Sequence, residues 1–96
     1  MPTATDLQSP VDAVAQEIRA FIVDSFLLGQ DPGFGNTESL LESGIIDSTG
    51  IMHVIAFLEE KFGIAIDDDD LVADNLDSVE RIARFVERKQ ALKSAA

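Results

Sequence analysis

The sequence predicts an all-α fold: a four-helix bundle with three longer helices, a short third helix and a long loop after helix one. Apolar residues recur at intervals of three and four in three separate segments, as they do on the buried face of a helix. Serine, aspartate, proline and glycine stand where those segments begin and end. A chain of 96 residues has room for one core. We therefore expect a single domain over residues 1–96, with a core of about residues 9–90 and frayed termini.

The first helix is expected to begin at Ser9, a capping residue, with Pro10 at the first helical position. Gly29 is expected to end it. A turn-rich loop follows, in which residues 37–41 are expected to form a short helical turn that places two leucines over the core. The apolar stripe of this first helix consists of Val11, Val14, Ile18, Phe21, Ile22 and Phe26.

The second helix is expected to begin at Asp47-Ser48 and to stop at Gly63, where a left-handed backbone conformation is wanted. A short third helix is predicted from Asp69 to about Asn75, since an acidic run suits the positive end of a helix. The fourth helix is expected to start near Asp77-Ser78. The predicted core consists of Val14, Ile18, Phe21, Val54, Ile55, Leu58, Val79, Ile82 and Phe85.

The composition narrows the classes of function and of partner. The formal charge is −11, with 18 acidic against 7 basic residues, which disfavours nucleic acid and anionic membrane surfaces and favours partners with basic docking patches. No apolar run approaches the roughly 18 residues that a membrane span needs, and the first residues lack the character of a signal peptide. We expect a cytoplasmic monomer. The chain has no cysteine, so neither disulfides nor thiolate metal sites are expected.

Ser48 is the residue of greatest interest, because it stands where a loop becomes a helix, directly after Asp47. Either residue has an ordinary explanation as a helix cap. The unpaired backbone N–H groups and the dipole at a helix start also favour a phosphate there. At about 100° per residue, an exposed face of the second helix carries a candidate partner-binding surface: Met52, His53, Ala56 and Glu60, with Phe57 at its margin. Packing of Met52 and Phe57 under the long loop is the alternative.

Two segments carry a resemblance to a known family. Residues 40–48, LLESGIIDS, resemble the stretch that precedes and includes the modification site of acyl carrier proteins, with a glycine shortly before Asp-Ser. Residues 57–64, FLEEKFGI, resemble that family's helix end and following turn. With Ile66, the acidic run and Ser78-Val79 included, the likeness spans about residues 11 to 90, nearly the whole domain.

The resemblance implies a carrier and not an enzyme. A phosphopantetheinyl transferase would move 4′-phosphopantetheine from coenzyme A onto Ser48, with Asp47 as the flanking motif residue. The thiol of that arm would hold acyl or aminoacyl groups as thioesters. The further partners implied are acyl-activating or acyl-transferring enzymes of fatty acid, polyketide or related biosynthesis.

Two departures from the family pattern favour a specialised carrier over a housekeeping one. Fatty-acid carriers usually follow the serine with leucine, whereas Thr49 and Gly50 follow here. A glycine in the first helical turn costs up to about 1 kcal/mol relative to alanine and is expected to loosen the helix start. Those carriers also place acids soon after the serine, whereas here they return only at Glu59 and Glu60.

Three other functions compete with the carrier. An unmodified acidic helical module that binds a partner protein is the main alternative. A hydrolase that uses Ser48 with His53 as base is disfavoured, because five residues of helix turn the two side chains apart by about 140°. A calcium loop that begins at Asp67 would need glycine and glutamate where Val72 and Ser78 stand.

Overall fold

The structure is a computed structural model that describes residues 10–95, with side chains from residue 13 to residue 92. The described part contains four α-helices, which we number α1 to α4, one 3₁₀ turn and no strand. The all-α, four-helix prediction is therefore confirmed. The bounds are α1 Pro10–Phe26, α2 Ser48–Phe62, the 3₁₀ turn Asp68–Asp70, α3 Ala73–Leu76 and α4 Val79–Ala95.

The core lies mainly between α1 and α4, which pack along one another more extensively than any other pair of helices. Their apolar stripes meet there, and the buried side of α2 closes the core from a third direction. Burying large aliphatic side chains contributes about 1.5–3 kcal/mol each, so this three-helix contact fixes where α2 lies. The largest fully buried side chains are Phe85, Ile18, Ile22, Leu40, Ile46, Leu58, Ile82, Val54, Val79 and Val86.

Of the nine core residues predicted, all but Phe21 are buried. Phe21 is only partly buried because its ring lies at the surface between α1 and α2. There it stacks on Phe57, with the ring centroids 4.0 Å apart and the planes 11° from parallel. Its apolar contact is thus with another partly buried ring as much as with the core.

The helix ends follow the predicted capping residues with one shift. Gly63 ends α2 in the left-handed conformation, with φ of 64°. The helical hydrogen bonds of α1 stop at Phe26, and the turn that follows takes two left-handed residues, Leu28 at φ 56° and Gly29 at φ 79°. Ser9, the predicted cap of α1, lies outside the described residues. The last helix runs to Ala95, and fraying of the termini stays a prediction.

The long loop between α1 and α2 is pinned to α1 by Arg19. The Arg19 guanidinium donates two hydrogen bonds to the Asp31 carboxylate, at 2.7 and 2.9 Å, and a third to Asn36 Oδ1 at 2.9 Å. It also lies 4.0 Å from the centroid of the Phe34 ring, which is buried. A paired, charge-assisted contact of this kind fixes direction as well as distance, so the loop has one defined path over α1.

Asp77, just before α4, pins the second half of the same loop. Its carboxylate accepts from Ser39 Oγ at 2.6 Å and from the Leu41 N–H at 3.1 Å, and its carbonyl accepts from the Leu40 N–H at 2.8 Å. Residues 37–41 form turns and no α-helix. The expectation that both leucines cover the core is wrong for one of them, since Leu40 is fully buried and Leu41 is 42% exposed.

The third helix is shorter and begins later than predicted. The segment from Asp69 to Asn75 is split: a 3₁₀ turn ends at Asp70, and α3 begins only at Ala73. Between them Leu71 adopts φ −82° and ψ 65°, a tight turn in which the Val72 N–H donates to the Asp70 carbonyl at 2.8 Å. Lys89 of α4 holds Asp70 by an ion pair of 2.7 Å, a contact from a distant part of the chain.

Candidate functional site

Ser48 is the first residue of α2, and its side chain is exposed. Asp47 precedes it as the N-cap, in an extended conformation with φ −97° and ψ −179°. The Asp47 Oδ1 atom accepts from the Gly50 N–H at 2.7 Å, which satisfies one of the backbone donors that a helix start leaves without a partner. The capping role therefore belongs to Asp47, and the Ser48 hydroxyl is presented to solvent from a stabilised turn.

The electrostatics at this helix start suit an anion. Apart from the Asp47 cap, no acidic side chain lies in the first turn of α2, although the chain as a whole carries a charge of −11. Backbone N–H groups and the positive end of the helix dipole point toward the position of Ser48. A phosphodiester attached to this hydroxyl would lie where the backbone favours negative charge.

Gly50 is buried in the first turn of α2 and packs tightly. A Cβ atom at this position would lie 2.8 Å from Ile46 Cγ2 and 2.9 Å from Phe26 Cε1, closer than van der Waals contact between carbon atoms allows. The conformational cost of glycine in a helix is therefore accompanied by a packing gain that the sequence did not reveal. The expectation of a loosened helix start rested on that cost alone.

An apolar groove of about 240 Å³ lies directly beside Ser48, between α2 and the segment that leads into α4. Several of its apolar side chains are exposed: Met52 by 58%, Val72 by 48%, Leu41 by 42% and Leu71 by 40%. A concentration of exposed apolar side chains marks a surface that takes up a ligand or a partner. The lining residues are Leu41, Ser48, Ile51, Met52, Ile55, Leu71, Val72, Ala73, Leu76 and Asp77.

A second depression, of about 370 Å³, lies on the other side of α2, against α1. Stacked Phe21 and Phe57 form part of it, and the edge of the Phe26 ring approaches His53, with centroids 6.5 Å apart. Its lining residues are Phe21, Ser25, Phe26, His53, Ala56, Phe57 and Glu60.

A comparison with family models shows what kind of protein has this site. The family model described as the phosphopantetheine attachment site matches residues 17–86. The chain belongs to this family. Such domains bear a covalently attached 4′-phosphopantetheine, so the chain is a phosphopantetheine carrier, as its resemblance to acyl carrier proteins implied. No curated protein matches the chain.

The residues predicted to bind partners of the carrier do not form one flat patch. Met52 lies in the groove beside Ser48, whereas His53, Ala56, Phe57 and Glu60 line the depression against α1. Together they occupy the ridge of α2 between the two hollows. Neither Met52 nor Phe57 packs under the long loop in the manner of the alternative: Met52 is exposed, and Phe57 stacks on α1. Whether this ridge binds partners stays a prediction.

The carrier also has site residues that the sequence did not reveal. Leu41, Leu71 and Val72 line the groove because the loop is fixed by Asp77 and because the third helix is interrupted at Leu71. Both causes are contacts between distant residues, and no local pattern in the sequence signals them. Ser48 and His53 line different hollows, which agrees with the expected divergence of the two side chains.

Among residues 10–95, no helix combines the length and the apolar character that crossing a membrane requires. In the same part of the chain, His, Asp and Glu side chains form no group of three or more that would hold a metal ion.

Proposed function

We propose that this protein carries acyl or aminoacyl groups as thioesters on a 4′-phosphopantetheine arm attached to Ser48. It presents them to partner enzymes of fatty acid, polyketide or related biosynthesis. The observation that carries this proposal is the exposed hydroxyl of Ser48 at the first position of α2, inside the region that matches the phosphopantetheine family. The domain itself catalyses no step.

Attachment of the arm is a transfer from coenzyme A. The Ser48 oxygen attacks the phosphorus atom that bears the pantetheine unit, a new phosphoester bond forms, and the pyrophosphate bond to the nucleotide breaks. The nucleotide leaves as the 3′,5′-bisphosphate of adenosine, and the hydroxyl proton passes to a base on the transferase. Exposure of Ser48 gives the transferase access, and the helix start favours the phosphate that results.

The thiol that carries the cargo belongs to the arm, since the chain has no cysteine. The apolar groove begins at Ser48 and is formed largely by aliphatic side chains, so it offers the arm and the first carbons of an apolar cargo a surface out of water. We expect a cargo chain to contact Met52, Leu71 and Val72 in this groove. Chemical-shift changes confined to other surfaces upon loading would contradict this.

Partners would meet the ridge of α2 beside the arm. In this proposal the carrier is a cytoplasmic monomer, and its charge of −11 draws in the basic docking surfaces of a phosphopantetheinyl transferase and of acyl-activating or acyl-transferring enzymes. The ridge begins with Met52 and His53, and not with the acids of a fatty-acid carrier. This difference supports a specialised carrier with its own loading enzyme.

Intact-mass measurement after incubation with coenzyme A and a broad-specificity transferase tests the proposal. The wild-type chain should gain one phosphopantetheine, and Ser48→Ala should gain none. Thr49→Ala is the matched control, because it removes the adjacent exposed hydroxyl and should be modified like the wild type. A wild-type chain that stays unmodified would point to the acidic interaction module instead, and modification of Ser48→Ala would place the arm on another residue.

A further inference from the structure

Phe26, the last residue of α1, packs against the turn that bears Ser48. It occupies space that is free because Gly50 has no side chain. The Phe26 Cε1 and Ile46 Cγ2 atoms lie within 3 Å of where a Gly50 Cβ would be, and Asp47 Oδ1 is 3.3 Å from the same point. Three groups from two parts of the chain therefore converge on one backbone position, two residues after Ser48.

Two of these three groups have little room to yield, and the third, the Phe26 ring, contacts neighbouring rings although it borders the depression against α1. Ile46 is 1% exposed and belongs to the core. The Phe26 ring has edge contacts with Phe21 and His53, at centroid distances of 6.1 and 6.5 Å. The Asp47 carboxylate is engaged as the helix cap. A side chain at position 50 would therefore displace the turn itself, because close-packed interiors transmit such a strain to the backbone.

We propose that Gly50 is a positioning residue for modification at Ser48. Its bare backbone lets Phe26 and Ile46 press against the first turn of α2, and this contact sets the direction in which the Ser48 hydroxyl is presented. The inference rests on the proposed role of Ser48. The end of α1 thus packs against the attachment site on the side of α2 opposite the apolar groove.

Substitution of Gly50 by alanine tests this role through the kinetics of the transferase reaction. In Gly50→Ala we expect kcat/KM for the carrier to fall about tenfold, since a misplacement of about 1 Å can cost about 100-fold and relief of contacts at 2.8 and 2.9 Å needs a smaller displacement. The KM for coenzyme A should not change, because coenzyme A binds to the transferase. Gly35→Ala is the matched control: Gly35 does not have positive φ, and a Cβ there would meet no atom within 4 Å.

A loss of stability alone must be separated from a loss of positioning. Val86→Ala, in the core of α4 and away from Ser48, should lower the melting temperature and leave the rate of modification unchanged while the protein is folded. The compensating background Phe26→Leu/Ile46→Leu removes both carbon atoms that a methyl group on Gly50 would meet. In that background Gly50→Ala should change kcat/KM less than twofold, even if Gly50→Ala alone fails to fold.

Three results would overturn the inference. They are a wild-type rate in folded Gly50→Ala, an equal fall in Gly35→Ala or Val86→Ala, and a tenfold fall that persists in the compensating background. These outcomes are distinct from failure of the proposed function, which would show as a wild-type chain that gains no mass at all.

Discussion

At the scale of single residues, neighbouring side chains in the turn that bears Ser48 have different roles. Asp47 caps the helix, Ser48 is left exposed, and Gly50 both donates to the cap and admits Phe26 and Ile46. Had Ser48 itself been the cap, its hydroxyl would be engaged with the backbone and less available to a transferase. The doublet Asp-Ser thus has two different tasks, although either residue type could perform the first.

Removal of the Asp47 carboxylate should destabilise the domain. Asp47→Ala leaves the Gly50 N–H without its acceptor, and the loss of such a cap costs about 1 kcal/mol. Urea denaturation followed by circular dichroism measures the change in the free energy of unfolding. Asp47→Asn, which keeps a side-chain oxygen, is the control and should lie within a few tenths of a kcal/mol of wild type. Equal losses in both variants would show that the cap bond does not carry the effect.

At the scale of elements, the walls of the Ser48 groove are positioned by parts of the chain far from α2. Leu41 belongs to the long loop, and Leu71 and Val72 to the break before α3. Asp77 ties the loop to the start of α4, and Lys89 ties Asp70 to the same helix. Because α4 also carries much of the core, it is the common support of the groove.

Loss of the Asp77 carboxylate should loosen the loop wall of the groove. Asp77→Ala removes the acceptor of the part-buried Ser39 Oγ bond and of the exposed Leu41 N–H bond, and loss of the part-buried bond costs about 1 kcal/mol. We expect faster amide hydrogen exchange at Leu41 as well as a lower free energy of unfolding. Glu42→Ala is the control, since Glu42 is exposed in the same loop and should leave the exchange at Leu41 unchanged. Unaltered exchange in Asp77→Ala would contradict the role given to this side chain.

At the scale of the whole molecule, the helices were predictable from local sequence signals, whereas the features that depend on contacts between distant residues were not. The apolar stripes of α1, α2 and α4 are readable from the sequence, as are the start of α2 after Asp47 and its end at Gly63, because period and caps are properties of neighbouring residues. The prediction that Ser48 bears the arm likewise came from its own neighbours. The split third helix and the room at Gly50 were not predicted, because they depend on Lys89, Phe26 and Ile46.

Basic side chains of the molecule are paired with groups of the same domain. Every basic side chain that the structure describes has an ion pair or hydrogen bond within the domain. The surplus acids are therefore the charges left to face a partner. The acids engaged in these ion pairs are Glu17, Asp31, Asp67, Asp70 and Glu80. The Arg19 hydrogen bonds lower the pKa of Asp31 and the Lys89 hydrogen bond lowers the pKa of Asp70, each from an ordinary value of 3.8.

These ion pairs set a pH window for the stability of the fold. A carboxyl with a lowered pKa stabilises the folded state above its ordinary value of 3.8, and that contribution is lost as the pH falls through the folded pKa. The Asp70 hydrogen bond raises the pKa of Lys89 from 10.5. The contribution of Lys89 to the stability of the fold is complete below the ordinary pKa of 10.5 and is lost as the pH rises through the raised pKa of the folded state. The Asp70–Lys89 pair should therefore stabilise the domain between about pH 4 and pH 10.

A double-mutant cycle of Asp70→Asn and Lys89→Met, followed by urea denaturation across this range, measures the pair directly. The coupling free energy should be level from about pH 5 to pH 9 and should shrink beyond both ends. A coupling that grew below pH 4 would have the wrong sign. A coupling of zero throughout would mean that the geometry of Leu71 and Val72 is maintained without Lys89. In that case Lys89→Met should leave the groove beside Ser48 unchanged. If Lys89 of α4 does hold this wall of the groove, the amide hydrogens of residues 70–72 should exchange faster in Lys89→Met than in the wild type.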